Sequence, residues 1–242
     1  MRPDLARVAV VIPTWNEAGA IGKVVADVLA EGVGQVVIGD GGSKDGTQSI
    51  ARAAGAMVLD AGRGYGRACA LGAAASRPEC DVIAFMDGDG ADCPDQLPRL
   101  AGPVLDGSKD FVIATRTRGG REPGAMLWHQ VLAGEVAGWL MGSLYGVRYS
   151  DMCTFRVIPR AVLDRLGLVE MTYGWNLEMQ MKAARAGLRI LELPAPYRRR
   201  AAGSSKVAGS LRGTLLASFK IVATFGRVAV ARAPERVNEL NQ

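Results

Sequence analysis

Asp81-Val-Ile-Ala-Phe-Met-Asp-Gly-Asp89 is the stretch whose reading decides the fold. The unbroken apolar run Val82–Met86 suits a strand buried on both faces of a sheet. Its exit in two carboxylates puts acid at the sheet's carboxyl edge. Strand side chains alternate, so Asp87 and Asp89 converge on one target if the extension persists through them. Two hard oxygen ligands this close together favour a cation between them, and Mg²⁺ or Mn²⁺ suits such ligands. A cation held by one or two carboxylates at a strand edge commonly also binds substrate phosphates. The competing reading is a polar turn, since Asp-Gly is a turn dipeptide. The flanking sequence favours the cation.

Outward from this stretch, strand and helix patterns alternate. Residues 7–12 read as a buried strand, and Asn16 as a cap before a helix carrying Ile21, Val24, Val25, Val28 and Leu29. A strand at 36–38, a turn-rich segment from Gly39 to Gly46, a helix at 47–54, a strand at 56–59 and a helix at 66–75 precede the acidic strand. Pro94 opens a helix with Leu97, Leu100, Val104 and Leu105 on its buried face, and 111–115 is a further strand. Such alternation predicts an α/β domain with a largely parallel sheet. Ligands then bind beyond the carboxyl ends of the strands, so segments 13–17, 39–47, 62–66, 87–92 and 115–118 should share one cleft. After Gly119-Gly120 comes a Gly-interrupted apolar helix over 125–146, then short strands and a helix at 175–186.

The 242 residues suffice for one large core. A hydrophobic share of 49% and a charged share of 22% are those of a soluble globular protein. The net charge of +5, carried mainly by arginine, suits phosphate-rich ligands or an anionic membrane surface and is too weak to indicate nucleic acid. Cys69, Cys80, Cys93 and Cys153 have neither zinc-site nor disulfide-framework spacing, which points to a reducing cytoplasm. No signal peptide is expected, and no charge-free apolar run approaches the roughly 20 residues of a spanning helix.

In order along nearly the whole chain, several segments resemble motifs of the inverting family 2 glycosyltransferases of the GT-A fold, especially the dolichyl- and polyprenyl-phosphate sugar synthases. Ile12-Pro-Thr-Trp-Asn-Glu17 is similar to the family's Pro-x-x-Asn-Glu. Asp40-Gly-Gly-Ser-Lys-Asp-Gly-Thr47 is similar to Asp-Asp-Gly-Ser-x-Asp-Gly-Thr, with Gly41 for the second Asp. Gly62-Arg-Gly-Tyr-Gly66 resembles the glycine-rich segment beside the nucleotide-sugar, and Asp87-Gly-Asp89 stands at the metal-binding Asp-x-Asp. Asp151-Met-Cys-Thr-Phe-Arg156 resembles Asp-x-x-x-Gly-Phe-Arg/Lys, one residue shorter and with Thr154 for Gly. Tyr173-Gly-Trp-Asn-Leu-Glu178 resembles the acceptor-side segment, and Arg200-Ala-Ala-Gly-Ser-Ser-Lys206 the branch's Arg-x-x-Gly-x-Ser-Lys. Ala91 stands where a polar third metal ligand is frequent, with Asp92 beside it as a substitute.

The resemblance implies a nucleotide-diphospho-sugar transferase (Rossmann-like) sheet flanked by helices. A donor-binding half, 1–118, and an acceptor half, 119–205, would form one domain, followed by an amphipathic helix and tail at 206–242. It also implies metal-dependent inverting transfer of a hexose from a UDP-glucose- or GDP-mannose-type donor to a polyprenyl phosphate. Pro13, Thr14, Asn16, Glu17, Asp40, Gly42, Arg63, Gly64, Asp87 and Gly88 would bind the donor. Asp87 and Asp89 would hold Mg²⁺ or Mn²⁺. The alternative for Asp40 is an Asx-turn.

A lipid monophosphate is largely anionic at neutral pH, its second pKa being about 6. It needs cationic positioning more than a base, and Arg116, Arg156, Arg200 and Lys206 would supply it. A hydroxyl acceptor would need a general base, for which Glu178 is the candidate. His129, Trp128 and Trp139 are expected to pack in the core or line an isoprenoid groove. From Lys206 onward, Leu211, Leu215, Phe219, Val222 and Phe225 fall near one helical face, with Arg212, Lys220 and Arg227 on another. Such a helix suits either an anionic bilayer, placing the protein on the inner face of the membrane, or a docked position on protein. A homo-oligomer stays open. The competing functions are transfer to a soluble phosphorylated acceptor and non-catalytic sugar-nucleotide binding.

Overall fold

The computed structural model describes residues 3–202 and 223–230. Its elements follow the alternation closely: β1 (Val8–Thr14), α1 (Ile21–Ala30), β2 (Gln35–Asp40), α2 (Thr47–Ala53), β3 (Met57–Asp60), α3 (Tyr65–Ala75), β4 (Val82–Phe85), α4 (Leu97–Leu105) and β5 (Phe111–Thr115). The second half adds α5 (Trp128–Tyr145), β6 (Arg156–Pro159), α6 (Arg160–Leu166), α7 (Trp175–Arg185) and β7 (Ile190–Pro194). Residues 223–230 are helical.

One seven-stranded sheet has the order β3-β2-β1-β4-β6-β5-β7. Every pairing is parallel except those of β6, which runs antiparallel to both β4 and β5. β1, β4 and β5 are apolar and buried on both faces, as strands covered by helices on each side must be. The chain moves outward from β1 through β2 and β3, then returns to β4 on β1's other side. The crevice between the carboxyl ends of β1 and β4 is therefore a topological switch point, where open α/β sheets bind ligands. Strand β6, from beyond Gly119-Gly120, lies between β4 and β5, so the earlier and later parts of the chain share this sheet.

Pro94 begins a 3₁₀ turn that leads into α4, as its fixed φ favours. Asn16 does not cap α1. Its φ is +54°, its side-chain oxygen accepts from the Lys44 amide at 2.9 Å, and α1 starts only at Ile21. Asn16 thus ties the loop after β1 to the loop after β2.

Candidate active site

A cleft of about 690 Å³ opens at the switch point. Its walls include Pro13, Thr14, Trp15 and Glu17 after β1, Gly41 after β2, Arg63 and Gly64 after β3, Asp87–Asp89 after β4 and Arg116 after β5. The five loops expected to converge do so. The far wall comes from the second half: Gln130, Met152, Thr154, Thr172, Tyr173, Asn176, Leu177, Tyr197 and Arg200.

The acidic edge is made by a turn and not by strand alternation. β4 stops at Phe85, and the Ala91 amide donates to Asp89 Oδ1 at 2.9 Å. The Asp87 amide donates to Asp92 Oδ2, also at 2.9 Å. Asp-Gly-Asp is therefore both the polar turn and the acidic edge, with Asp87 and Asp89 lining the cleft. Asp92 is buried, and its Oδ2 also accepts from the Thr154 hydroxyl at 3.4 Å, so this side chain braces the loop. Burial first, then the charges of Asp89 and Asp92, raises the Asp87 carboxyl well above its ordinary range. Three neighbouring carboxylates, two of them buried, form a site that a cation would stabilise. Among the described residues no cluster of three His, Cys, Asp or Glu side chains could cage a metal alone. Two carboxylates with room for phosphate and water fit Mg²⁺ or Mn²⁺, which is commonly held in that way.

Residues 198–201 run beside 89–91, the Ala201 amide donating to the Asp89 carbonyl and the Arg198 amide to that of Ala91. This brings Arg200 to the acidic edge. Its guanidinium forks between Asp89 Oδ2 and Glu17 Oε1, each at 2.6 Å. Arg116 is held by Asp151 through two side-chain hydrogen bonds of 2.7 Å, with its ring-facing carbon 5.0 Å from the Tyr197 centroid. Burial alone would raise the Asp151 carboxyl, but Arg116 outweighs it and holds it below the usual range. Arg116 is consequently fixed in direction, as a bidentate pair requires. Lys206 lies outside the described residues.

On the wall built from the loops after β1 and β3, Trp15 and Arg63 stack, the guanidinium 3.7 Å from the ring centroid. Asp40 is fully buried and absent from the cleft wall. Its oxygens accept from the Gly42 and Ser43 amides, the Ser43 and Thr14 hydroxyls and the Gln48 amide group. The Asx-turn is what the geometry shows: Asp40 organises the loop carrying Gly41 and Gly42. Gly64 and Gly66 serve a packing purpose. A Cβ on Gly64, whose φ is +129°, would stand 2.5 Å from the Met171 carbonyl oxygen, and one on Gly66 2.3 Å from that of Glu170. These glycines let the start of α3 close against the 170–172 wall. Gly64→Ala is expected to cost about 3 kcal/mol, combining left-handed strain with overlap. A loss under 1 kcal/mol in urea unfolding would contradict this account.

Two expected acceptor-side groups are placed elsewhere. Arg156 is completely buried and donates to the carbonyls of Cys153, Thr154 and Asn176, burial lowering its pKa. It is not on the cleft wall and holds the 153–156 turn against α7. Glu178 is also fully buried: Oε2 accepts from the Val169 and Glu170 amides at 3.0 and 2.7 Å. Its Oε1 meets Lys182 at 3.1 Å and Arg227 at 3.5 Å. Glu178 is absent from the cleft wall, and both its oxygens are engaged within the domain. Phe225 and Arg227 belong to the helix at 223–230, which docks on the domain through buried Thr224 and Val228. Leu211, Arg212, Leu215, Phe219, Lys220 and Val222 are outside the described residues.

Cleft residues missed by sequence reasoning include Trp15, Tyr65, Thr172, Tyr173, Asn176 and Tyr197. Trp15, Tyr65, Tyr173 and Asn176 lie within quoted motifs, but nothing local distinguishes the cleft-facing member from its neighbours. Tyr197 carries no sequence signal.

The description "Glycosyl transferase family 2" belongs to the family model that matches residues 9–167. The chain is a family 2 glycosyltransferase. An uncharacterized glycosyltransferase of Mycobacterium tuberculosis is 36% identical to it over 215 residues, spanning 87% of this chain and 94% of the relative. Dolichyl-phosphate hexose transferase of Haloferax volcanii is 34% identical over 204 residues, spanning 82% and 86%. In fold, this family 2 glycosyltransferase is similar to the crystal structure of glucosyl-3-phosphoglycerate synthase from Mycobacterium tuberculosis in complex with Mn²⁺, UDP-glucose and phosphoglyceric acid. The TM-score is 0.73 at 21% identity, covering 95% of this chain and 83% of the other. The mostly parallel sheet with flanking helices is the GT-A fold.

Proposed function

We propose that this glycosyltransferase moves a hexose, with inversion, from a nucleoside-diphosphate sugar to the phosphate of a polyprenyl phosphate at a membrane surface. The observation that carries the reading is the composition of the acceptor-side wall. Among its described residues there is no carboxylate, while Arg116 and Arg200 flank it. A hydroxyl nucleophile needs a base there, whereas a phosphate monoester arrives already ionised and needs only cationic placement. Similarity to a dolichyl-phosphate hexose transferase supports the lipid acceptor.

Asp87 and Asp89 would hold the divalent cation. Bound there, it supplies Lewis-acid stabilisation of the leaving diphosphate. Trp15 and Arg63, with the loop organised by Asp40, would frame the base and ribose. Arg116, aimed by Asp151, and Arg200, released from Asp89, would place the acceptor phosphate behind the anomeric carbon. A phosphate oxygen then forms the new C1–O bond, the bond to the nucleotide breaks, and its electron pair leaves with the diphosphate. No proton has to move. A donor half at 1–118 and an acceptor half at 119–205 are proposed on this basis.

The test supplies UDP-glucose, GDP-mannose and related labelled donors with Mn²⁺ or Mg²⁺ and a polyprenyl phosphate. Chelator-sensitive label in the organic phase is expected. Label transferred only to phosphoglyceric acid or glycerol phosphate would replace this reading by a second one, transfer to a soluble phosphorylated acceptor. That alternative is supported by the likeness to a synthase crystallised with phosphoglyceric acid.

A further inference from the structure

Of the two readings of α5, core packing or an isoprenoid groove, the exposure of its tryptophans rules out core packing. Trp128 is 76% exposed and Trp139 59%, with Leu132 and Val136 each about half exposed. At about 100° per residue these four fall within roughly 80° of one another on the helix. The buried side consists of Gly134, Ala137, Gly138 and Met141. A Cβ on Gly138 would overlap the Tyr149 carbonyl oxygen, so the helix lies close against the domain on its small-residue side. A soluble surface rarely presents such a stripe without something to cover it.

Charge and position indicate what covers it. Exposed Arg118, Arg121, Arg198 and Arg199 lie in the segment before α5 and the strand-like segment bonded to it, where the Arg199 guanidinium donates to the Pro123 carbonyl at 2.6 Å, and Arg118 approaches Glu192 at 3.9 Å. Glu122, which accepts from the Arg199 amide, and Glu135 at the stripe's margin are the acidic residues of this face. Tryptophan belongs at the boundary between hydrocarbon and headgroups, and arginine beside anionic headgroups. The first turn of α5 also reaches the cleft, since Gln130 lines it. Gln130 is on the side of α5 away from the stripe, so a bilayer against the stripe would lie one helix diameter, roughly 10 Å, from this part of the cleft wall. The 223–230 helix is committed to the domain by Thr224 and Val228, and its Arg227 to Glu170 and Glu178. Among the described residues, α5 is the better membrane face.

We infer that the Trp128–Trp139 stripe of α5, with the arginines of the segment before it and of the strand-like segment bonded to that one, is the surface on which the protein lies against an anionic lipid bilayer. The choice of a bilayer over other apolar partners rests on the lipid-phosphate reading above.

The experiment is co-sedimentation of the full chain with vesicles of phosphatidylglycerol and phosphatidylcholine, comparing the parent with W128S/W139S. Binding by the variant should fall about tenfold or more, and parent fluorescence should be quenched by brominated lipid, a readout that needs no variant. Thermal midpoint, nucleotide binding and transfer to detergent-dissolved polyprenyl phosphate should stay near parent values. Equal sedimentation of parent and variant, or an unquenched parent, overturns the inference. So does a parent dimer that the double substitution converts to a monomer without vesicle binding, because the stripe is then covered by a second copy. A parent that labels detergent-dissolved polyprenyl phosphate but ignores vesicles overturns the surface and leaves the acceptor standing. Tryptophan-dependent vesicle binding without any lipid labelling supports the surface and removes the acceptor.

Discussion

Asp89→Ala is expected to lower sugar transfer by about a thousandfold or more, equivalent to roughly 4 kcal/mol of transition-state stabilisation. Asp89 combines three roles at one point of the cleft. It lines the acidic edge beside Asp87, its Oδ1 fixes the turn through the Ala91 amide, and its Oδ2 holds Arg200. Alanine removes all three. Asp89→Asn keeps an acceptor for the Ala91 amide while removing the charge, so it separates turn geometry from electrostatics. If the charge is what matters, both variants lose turnover alike, and nucleotide affinity with Mn²⁺ drops to its value in chelator. An Asn variant retaining more than a tenth of parental turnover would remove Asp89 from the metal-binding role.

Glu178→Ala is expected to destabilise the protein by about 3–5 kcal/mol, the usual consequence of removing one partner from a buried charged cluster. The change leaves the Val169 and Glu170 amides without their acceptor and strips Lys182 and Arg227 of a shared counter-charge. Those amides belong to the segment leading to Thr172 and Tyr173 on the cleft wall, so KM for the acceptor should rise with little change in kcat of the folded protein. A general base would behave oppositely, with kcat collapsing at unchanged stability. Urea unfolding and steady-state kinetics on Glu178→Ala and Glu178→Gln distinguish the two. Parental stability with abolished turnover would restore Glu178 as the base.

Much of the architecture is legible in the residues because its causes are local. Val82–Phe85 must be a strand covered on both faces, Pro94 must open a helical turn, and glycine-rich loops must follow the strands. The insertion of β6 between β4 and β5 is different. Arg156–Pro159 is too short to show a period, and its antiparallel place depends on pairings with strands far away in sequence. Equally, the turn at Asp87–Asp89 was readable as either a turn or a metal edge, and the fold makes it both.

The sequence by itself determined the α/β alternation, the family motifs and the set of loops that meet at one cleft, since apolar periodicity and turn chemistry act over a few residues. Only the tertiary structure decided which charged side chains face that cleft. Arg116 and Arg200 reach it, whereas Arg156, Glu178 and Asp40 are turned inward and satisfied by backbone amides, carbonyls and hydroxyls. The pairing of Arg200 with Asp89 joins residues 111 positions apart. Whether an ionised group meets solvent, substrate or core depends on partners brought from such distances, and no local pattern contains them.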